Sequence, residues 1–288
     1  MKVAITGASG YIGRHVVSRA TELGYDVLGV CYPQPPKEVT PANVQLETLD
    51  ILEASQEEVS RVFEKQDACL HLAWQAGFNH QDPSHIANVL KHYYFIEKLI
   101  KAGVKNISIA GTMHEIGYHV GEVTAITPCN PINPYGIAKN FLRQAVSVLC
   151  EKNNVTLKWL RMFYIVGDDE KSNSIFGKIL AAEARGDARF PLNSGEMLYD
   201  FISIGELAVQ LTDAATQADV SGIINCCSGK PISLRNAVEN FITKNQLNIS
   251  PEYNVFPHRP YDSYAIWGET RTIQSILKYN TDLSAGAV

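Results

Sequence analysis

Residues 6–17 read TGASGYIGRHVV, and this stretch decides the fold. The apolar run VAIT (3–6) enters it as a strand. An amphipathic stretch over 11–23 leaves it as a helix. Gly7, Gly10 and Gly13 stand between them at G-x-x-G-x-x-G spacing. Glycines permit a tight turn and close backbone approach, and a helix N-terminus favours an anion such as a dinucleotide's pyrophosphate. A glycine pattern alone says little; placed after an N-terminal strand and opening a helix, it predicts dinucleotide binding.

The same alternation continues outward. DVLGV (26–30), VQLE (44–47), ACLHL (68–72), NISIA (106–110) and VTLKWL (155–160) read as strands. Residues 54–64, 83–102 and 134–152 carry apolar side chains at helical spacing. Such a chain predicts an α/β fold, a Rossmann-type doubly wound parallel sheet covered on both faces. Beyond residue 167 the pattern loosens through GDDEKSNS and GDARFPLNSGEM, and the segment around PHRPYD is interrupted. The expected division is a dinucleotide-binding domain over 1–167, rejoined by 199–230. A smaller C-terminal α/β substrate lobe takes 168–198 and 231–288.

Composition narrows the function. The 288 residues are 45% hydrophobic, enough for a well-buried core, and carry a net charge of −5, which argues against a nucleic-acid partner. No apolar run reaches the length of a membrane span, and MKVAITG enters a strand without a signal-peptide layout. Six cysteines, at 31, 69, 129, 150, 226 and 227, form no CxxC pair and read as reduced thiols of a cytoplasmic protein.

Two further sites carry chemistry. The second strand ends in Cys31, Tyr32 and Pro33, with no carboxylate to bond a ribose 2′-hydroxyl or repel a 2′-phosphate. With Arg14 and Lys37 nearby, this tilts the expectation toward NADP(H) over NAD(H). Residues 133–140 read NPYGIAKN: Asn133 suits a helix cap, Pro134 its first position, and Tyr135 and Lys139 then share one face a turn apart. An ammonium beside a phenol favours the phenolate, so the pair predicts a tyrosine of lowered pKa in acid–base catalysis.

TGASGYIG, HLA (71–73), Thr112 and YGIAK together resemble the extended short-chain dehydrogenase/reductases, the sugar-nucleotide epimerases, dehydratases and reductases. LRMFYIVG (160–167), YDFISIGELA (199–208), NCCSGKPISL (225–234) and HRPYD (258–262) resemble later landmarks of that family. The resemblance implies that Gly7, Gly10 and Gly13 hold the cofactor pyrophosphate, with Tyr11, Ile12 and Arg14 beside them. Tyr32 and the pair Asp50 and Ile51 would flank the adenosine, and Leu72 and Ala73 pass beneath the dinucleotide. It implies Tyr135 as acid–base residue, Lys139 on the nicotinamide ribose, and Thr112 as the hydroxyl that bonds the reacting sugar oxygen. Trp74, Met113 and His114 would border the substrate, and Arg259 would meet its diphosphate.

The stretch AGTMHEIG (110–117) discriminates among the reactions. Sugar-nucleotide dehydratases of this family follow the threonine with an aspartate and a glutamate. Met113 and His114 stand there, so dehydration is not expected. The 3,5-epimerising relatives pair a cysteine at the second of these positions with a later histidine, and FYIVGDDEKSNS holds none. His114 titrates ordinarily near neutral pH and is expected to bond a sugar hydroxyl or keto oxygen. Glu115 is expected to be structural, and a metal site is not supported. What remains is hydride transfer at one carbon by Thr112, Tyr135 and Lys139. GTMHEIGY, TPCNP and YGIAKN look most like the reductases of dTDP-4-keto-6-deoxyhexoses, which make 6-deoxy-talose or fucose nucleotides for bacterial surface polysaccharide. A C4 epimerase of a nucleotide sugar is the alternative. By the same analogy, helices 83–102 and 134–152 imply a homodimer. His85 and His92 read as a helix packing surface. Tyr199 replaces a basic residue that the family uses toward the diphosphate.

Overall fold

The computed structural model describes residues 1–34, 41–167, 174–258 and 262–285, with backbone alone from 279 onward. The first half alternates as its apolar periodicity dictates. In order come β1 (Lys2–Thr6), α1 (Tyr11–Glu22), β2 (Asp26–Cys31), β3 (Val44–Thr48), α2 (Gln56–Phe63), β4 (Ala68–His71), α3 (Ser84–Lys101) and β5 (Asn106–Thr112). There follow β6 (Gly121–Val123), α4 (Pro134–Lys152), β7 (Thr156–Met162), β8 (Tyr164–Val166), α5 (Ile175–Ala184), β9 (Arg189–Pro191), β10 (Leu198–Ser203) and α6 (Ile204–Thr216). The chain ends with β11 (Gly222–Cys226), β12 (Pro231–Ser233), α7 (Leu234–Lys244), β13 (Ser250–Glu252), β14 (Ala265–Gly268) and α8 (Arg271–Ala285).

Seven parallel strands form the large sheet in the order β11-β7-β5-β4-β1-β2-β3. Successive side chains of each strand enter opposite cores, as the two-residue period requires. Ala4 of β1 packs with α2, α3 and α4 residues such as Phe63, Phe95 and Leu142, whereas Val3 and Ile5 pack with Val16 of α1 and Leu211 of α6. Both faces are therefore dry, which explains strands that read as continuous apolar runs. The register places Thr6 beside Val30 and His71, and Thr112 beside Met162, so the carboxyl ends share one edge. The strand order reverses between β1 and β4, and ligands of open α/β sheets bind at such a switch point.

The smaller lobe is a sheet of β12-β10-β14-β6, with β8 on β10, and a separate β13-β9 pair. Phe176 of α5, Phe241 of α7 and Ile266 of β14 centre its core. Two segments sit differently from the expected division. β10 pairs with β12, β14 and β8 in the lobe, and only α6 and β11 of the 199–230 block join the large layer. Helix α8, expected in the lobe, packs on α6 and β11. Its Ile273, Ile276 and Leu277 form an i, i+3, i+4 stripe that joins the core under the large sheet.

Candidate active site

The glycine loop is a cradle that side chains would fill. Gly7 adopts φ +70°, and a Cβ there would stand 2.8 Å from the amide nitrogen of Ala73; one on Gly13 would stand 2.1 Å from the Gly7 carbonyl oxygen. The loops after β1 and β4 thus meet backbone to backbone. Side chains cap α2, α4, α5, α6 and α7 (Ser55, Asn133, Ser174, Ser203, Ser233), but none caps α1 at Gly10. Its first-turn amides face a cleft of about 1510 Å³. A helix start with no side-chain cap, over a loop whose three glycines leave the backbone open, fits a pyrophosphate.

Tyr32, Asp50, Ile51, Leu72 and Ala73 line the same cleft, as do Tyr11 and Ile12. The Asp50 carboxylate accepts the Leu52 amide (3.1 Å), and Thr6 Oγ1 accepts the amide of Ala73 (3.3 Å). Arg14 is not among the lining residues; its guanidinium lies over the Tyr11 ring, 5.2 Å from the centroid, and its Nε donates to His15 Nε2 (3.4 Å). Arg259 and Lys37 lie outside the described residues.

Thr112, Tyr135 and Lys139 converge on the cleft where β5 ends. Strand β5 stops because Thr112 caps a short 3₁₀ turn over Met113–Glu115, its hydroxyl accepting the His114 amide (3.3 Å). Asn133 Oδ1 accepts the Gly136 amide (2.8 Å) and Pro134 opens α4, which places Tyr135 in the first turn. The Tyr135 amide donates to the carbonyl of His80 (3.1 Å). Lys139 Nζ donates to the Ala110 carbonyl (2.7 Å) and lies 6.0 Å from the Tyr135 ring centroid. A hydroxyl, a phenol and a buried ammonium beside a dinucleotide cradle are equipped for hydride transfer with proton exchange.

Residues 3–227 match the family described as NAD dependent epimerase/dehydratase. The chain belongs to that family. It is 53% identical over 272 residues to the dTDP-6-deoxy-L-talose 4-dehydrogenase (NAD(+)) of Aggregatibacter actinomycetemcomitans, covering 93% of this chain and 99% of the relative. The dTDP-6-deoxy-L-talose 4-dehydrogenase (NAD(P)(+)) of Kitasatospora kifunensis is 26% identical, over 84% of this chain and 78% of its own length. The fold matches the UDP-glucuronic acid 4-epimerase of Bacillus cereus in complex with UDP-glucuronic acid and NAD, with a TM-score of 0.81 at 18% identity, covering 97% of this chain and 93% of that one.

Within this epimerase/dehydratase frame, the electrostatics of the pair differ from the expectation. Burial pushes the Tyr135 phenol up to about 12; the hydrogen bond with Thr112 opposes this and Glu115 adds to it. Burial also pulls Lys139 down to about 7, against the opposing pull of Glu115. The lysine therefore does not deliver a lowered tyrosine in the protein alone, because desolvation outweighs their mutual attraction. His114 is likewise held near 3, by burial first and by His80 second. A neutral imidazole replaces the near-neutral titration expected of it.

Glu115 does not project to the opposite face of a continuing strand. It turns inward, fully buried, where Oε1 accepts the Thr112 amide (2.8 Å) and Trp159 Nε1 (2.6 Å). Its Oε2 lies 3.3 Å from Arg143 Nε and 3.5 Å from Arg161 Nη2. This carboxylate fixes the backbone that carries the Thr112 hydroxyl.

The residues missed in the sequence come from the loop between β4 and α3. His80 stacks on Tyr135 (centroids 5.2 Å, interplanar 8°) and meets His114 at 4.0 Å. His85 and His92, expected to form a helix packing surface, are buried and pack against Trp74, and His92 also lines the cleft. On the lobe side, Lys178 lines the cleft, and Tyr199 packs against Tyr164 at a tilt of 32° with centroids 4.5 Å apart. For the histidines the available signal was a stretch, 80–95, rich in histidine and tyrosine.

Proposed function

We propose that the chain reduces the C4 ketone of a nucleotide-linked 4-keto-6-deoxyhexose, or runs the reverse oxidation, with a nicotinamide dinucleotide. The observation that carries this is the convergence of Thr112, Tyr135 and Lys139 beside the glycine cradle, with Met113 and His114 where a dehydratase needs two carboxylates. The bound nicotinamide would supply the hydride. Tyr135 donates its proton to the sugar oxygen as it becomes an alkoxide, and its raised pKa keeps that proton available. The Thr112 hydroxyl bonds the same oxygen, and the Lys139 ammonium stabilises the developing negative charge. Both dTDP-6-deoxy-L-talose 4-dehydrogenase relatives carry dTDP in their names, which supports dTDP as the carrier here.

NADH is the proposed cofactor, against the earlier tilt toward NADP(H). That tilt rested on the missing carboxylate at the end of β2, on Lys37, and on Arg14, which lies over Tyr11 rather than in the cleft. Among the described residues, Lys91, the cleft lysine beside Asp50–Glu53, is paired with Glu53. The 53% identical relative carries NAD(+) in its name.

We further propose a homodimer across α3 and α4. Ile86, Leu90 and Tyr94 repeat every fourth residue on α3 and are exposed, as are Ile137, Phe141 and Val148 on α4, which packs beside it. Six cysteines without a disulfide accord with a cytoplasmic enzyme, and no helix among the described residues is long and apolar enough to cross a membrane.

The test is oxidation of NADH or NADPH, followed by absorbance, with dTDP-4-keto-6-deoxyglucose in the presence and absence of a 3,5-epimerase. Turnover of one mixture, lost in Tyr135→Phe, is expected. No turnover in any mixture, together with interconversion of C4 epimers without net cofactor consumption, would assign the chain to the epimerase alternative instead.

A further inference from the structure

The Lys139 ammonium feels the Glu115 carboxylate only at a distance. Among the described residues it forms no ion pair, and its hydrogen bond goes to one carbonyl oxygen, that of Ala110. Its other close contact is the indole face of Trp74, 3.8 Å from the ring centroid. We propose that Trp74 is a positioning residue that holds Lys139 as a cation in the reaction centre through its π-face. The role extends the reductase reading of this site.

The indole is itself held from two sides. Trp74 Nε1 donates to His85 Nδ1 (3.0 Å). An indole nitrogen only donates, so His85 Nδ1 is the acceptor, and its Nε2–H donates to the Asn79 carbonyl (2.8 Å). His92 stacks on the indole at 4.3 Å and 14°. His92 in turn bonds His71 (Nδ1 to Nε2, 3.0 Å), and His71 Nδ1 bonds Thr6 Oγ1 (2.7 Å). The row runs from the last residue of β1, next to the glycine loop, to the lysine of the reaction centre. None of these bonds requires a charged imidazole.

Four titratable groups face the ammonium from the elements around it: Glu115 from the turn after β5, Tyr135 from α4, His71 from β4 and His92 from α3. Both histidines are held neutral, His92 near 3 and His71 well below its ordinary value, by burial first. They therefore add no positive charge beside Lys139. Burial alone drives the lysine toward its neutral form. A ring quadrupole favours the cation, and the effect grows where water is excluded. A neutral Lys139 could neither hold a ribose hydroxyl by a charge-assisted bond nor stabilise an alkoxide.

The test measures the titration of Lys139 directly, in cofactor-free protein, by trace acetylation across pH 5–10 and peptide mass spectrometry. In Trp74→Leu the midpoint should fall by about one pH unit, and in Trp74→Phe by less, since a smaller π-face remains. The alkaline limb of kcat/KM for ketosugar reduction should fall in step, with about ninefold loss at pH 8 against about twofold at pH 6. Fluorinated tryptophan, which weakens the quadrupole at nearly constant shape, should lower the midpoint even if Trp74→Leu fails to fold. An unmoved midpoint in the leucine and fluorinated proteins, with only KM changed, overturns the proposal and leaves Trp74 as a substrate wall. The labelling arm needs no turnover, so it stands apart from failure of the reductase reading.

Discussion

Glu115→Gln is the sharpest perturbation the site offers. The variant keeps size and shape and can still accept from the Thr112 amide and the Trp159 indole. It removes the negative charge between Arg143, 18% exposed, and Arg161, 0% exposed. Removing one partner of a buried ion pair leaves the other uncompensated and costs about 3–5 kcal/mol. Unfolding entropy of about 2.1 cal/mol/K per residue gives roughly 0.6 kcal/mol/K for 288 residues, hence a fall in Tm of about 5–8 °C. The Thr112 backbone loses the charge that fixes it, and a displaced catalytic hydroxyl should lower kcat about 10–100-fold. Calorimetry and steady-state kinetics read the two effects. Glu47→Gln is the control: its partner Arg61 is 63% exposed, and such a pair contributes little. If Glu115→Gln melts within the change seen for the control, the carboxylate is not the keystone argued for here.

Reductive kcat/KM needs a charged Lys139 and a neutral Tyr135. That form is full well below pH 7, falls to half at the lysine's value of about 7 and is lost above it, because the phenol keeps its proton to about 12; a profile flat from pH 6 to 9 would contradict this. Gly7→Ala places a methyl 2.8 Å from the Ala73 amide at φ +70° and should weaken NADH binding tenfold or more by fluorescence titration, since such a backbone costs an alanine about 1–2 kcal/mol before the clash. Tyr94→Lys with Phe141→Asp, on the exposed faces of α3 and α4, should give monomers by light scattering, and an unchanged mass would place the interface elsewhere.

Much of this was legible because it is local. The glycine spacing, the Asn133–Pro134 cap and the one-turn separation of Tyr135 and Lys139 are short-range patterns with one steric solution each. The tertiary part was not legible. β4 lies beside β1, not β3, and that adjacency brings Trp74 and His80 to Tyr135. Sequence spacing alone made His85 and His92 a packing surface; the indole that both touch comes from a different element. The apolar stripe of α8 meets the α6 face, a target set by the crossover to β11. Ionisation was misjudged for a related reason. Pairing an ammonium with a phenol predicts a lowered tyrosine only when both stay solvated, and α4 buries them together.

That burial bears on the direction of catalysis. A phenol held near 12 is a poor base at neutral pH: about one molecule in 10⁵ is ionised at pH 7, so abstraction of a carbinol proton by Tyr135 is unfavourable in the protein alone. The same phenol is always charged with the proton that a nascent alkoxide requires. Donation to an alkoxide runs downhill, whereas oxidation must first bring the phenol down. Positive charge at the centre does this, from the Lys139 ammonium and from an oxidised nicotinamide. The two directions share one transition state, so the charge on Lys139 that stabilises the nascent alkoxide in reduction is the same charge that helps form the base in oxidation. Weakening the Trp74 contact should accordingly depress kcat/KM at pH 8 by the same factor in both directions, and by much less at pH 6; a loss equal at the two pH values would mark a steric role for the indole instead of an electrostatic one.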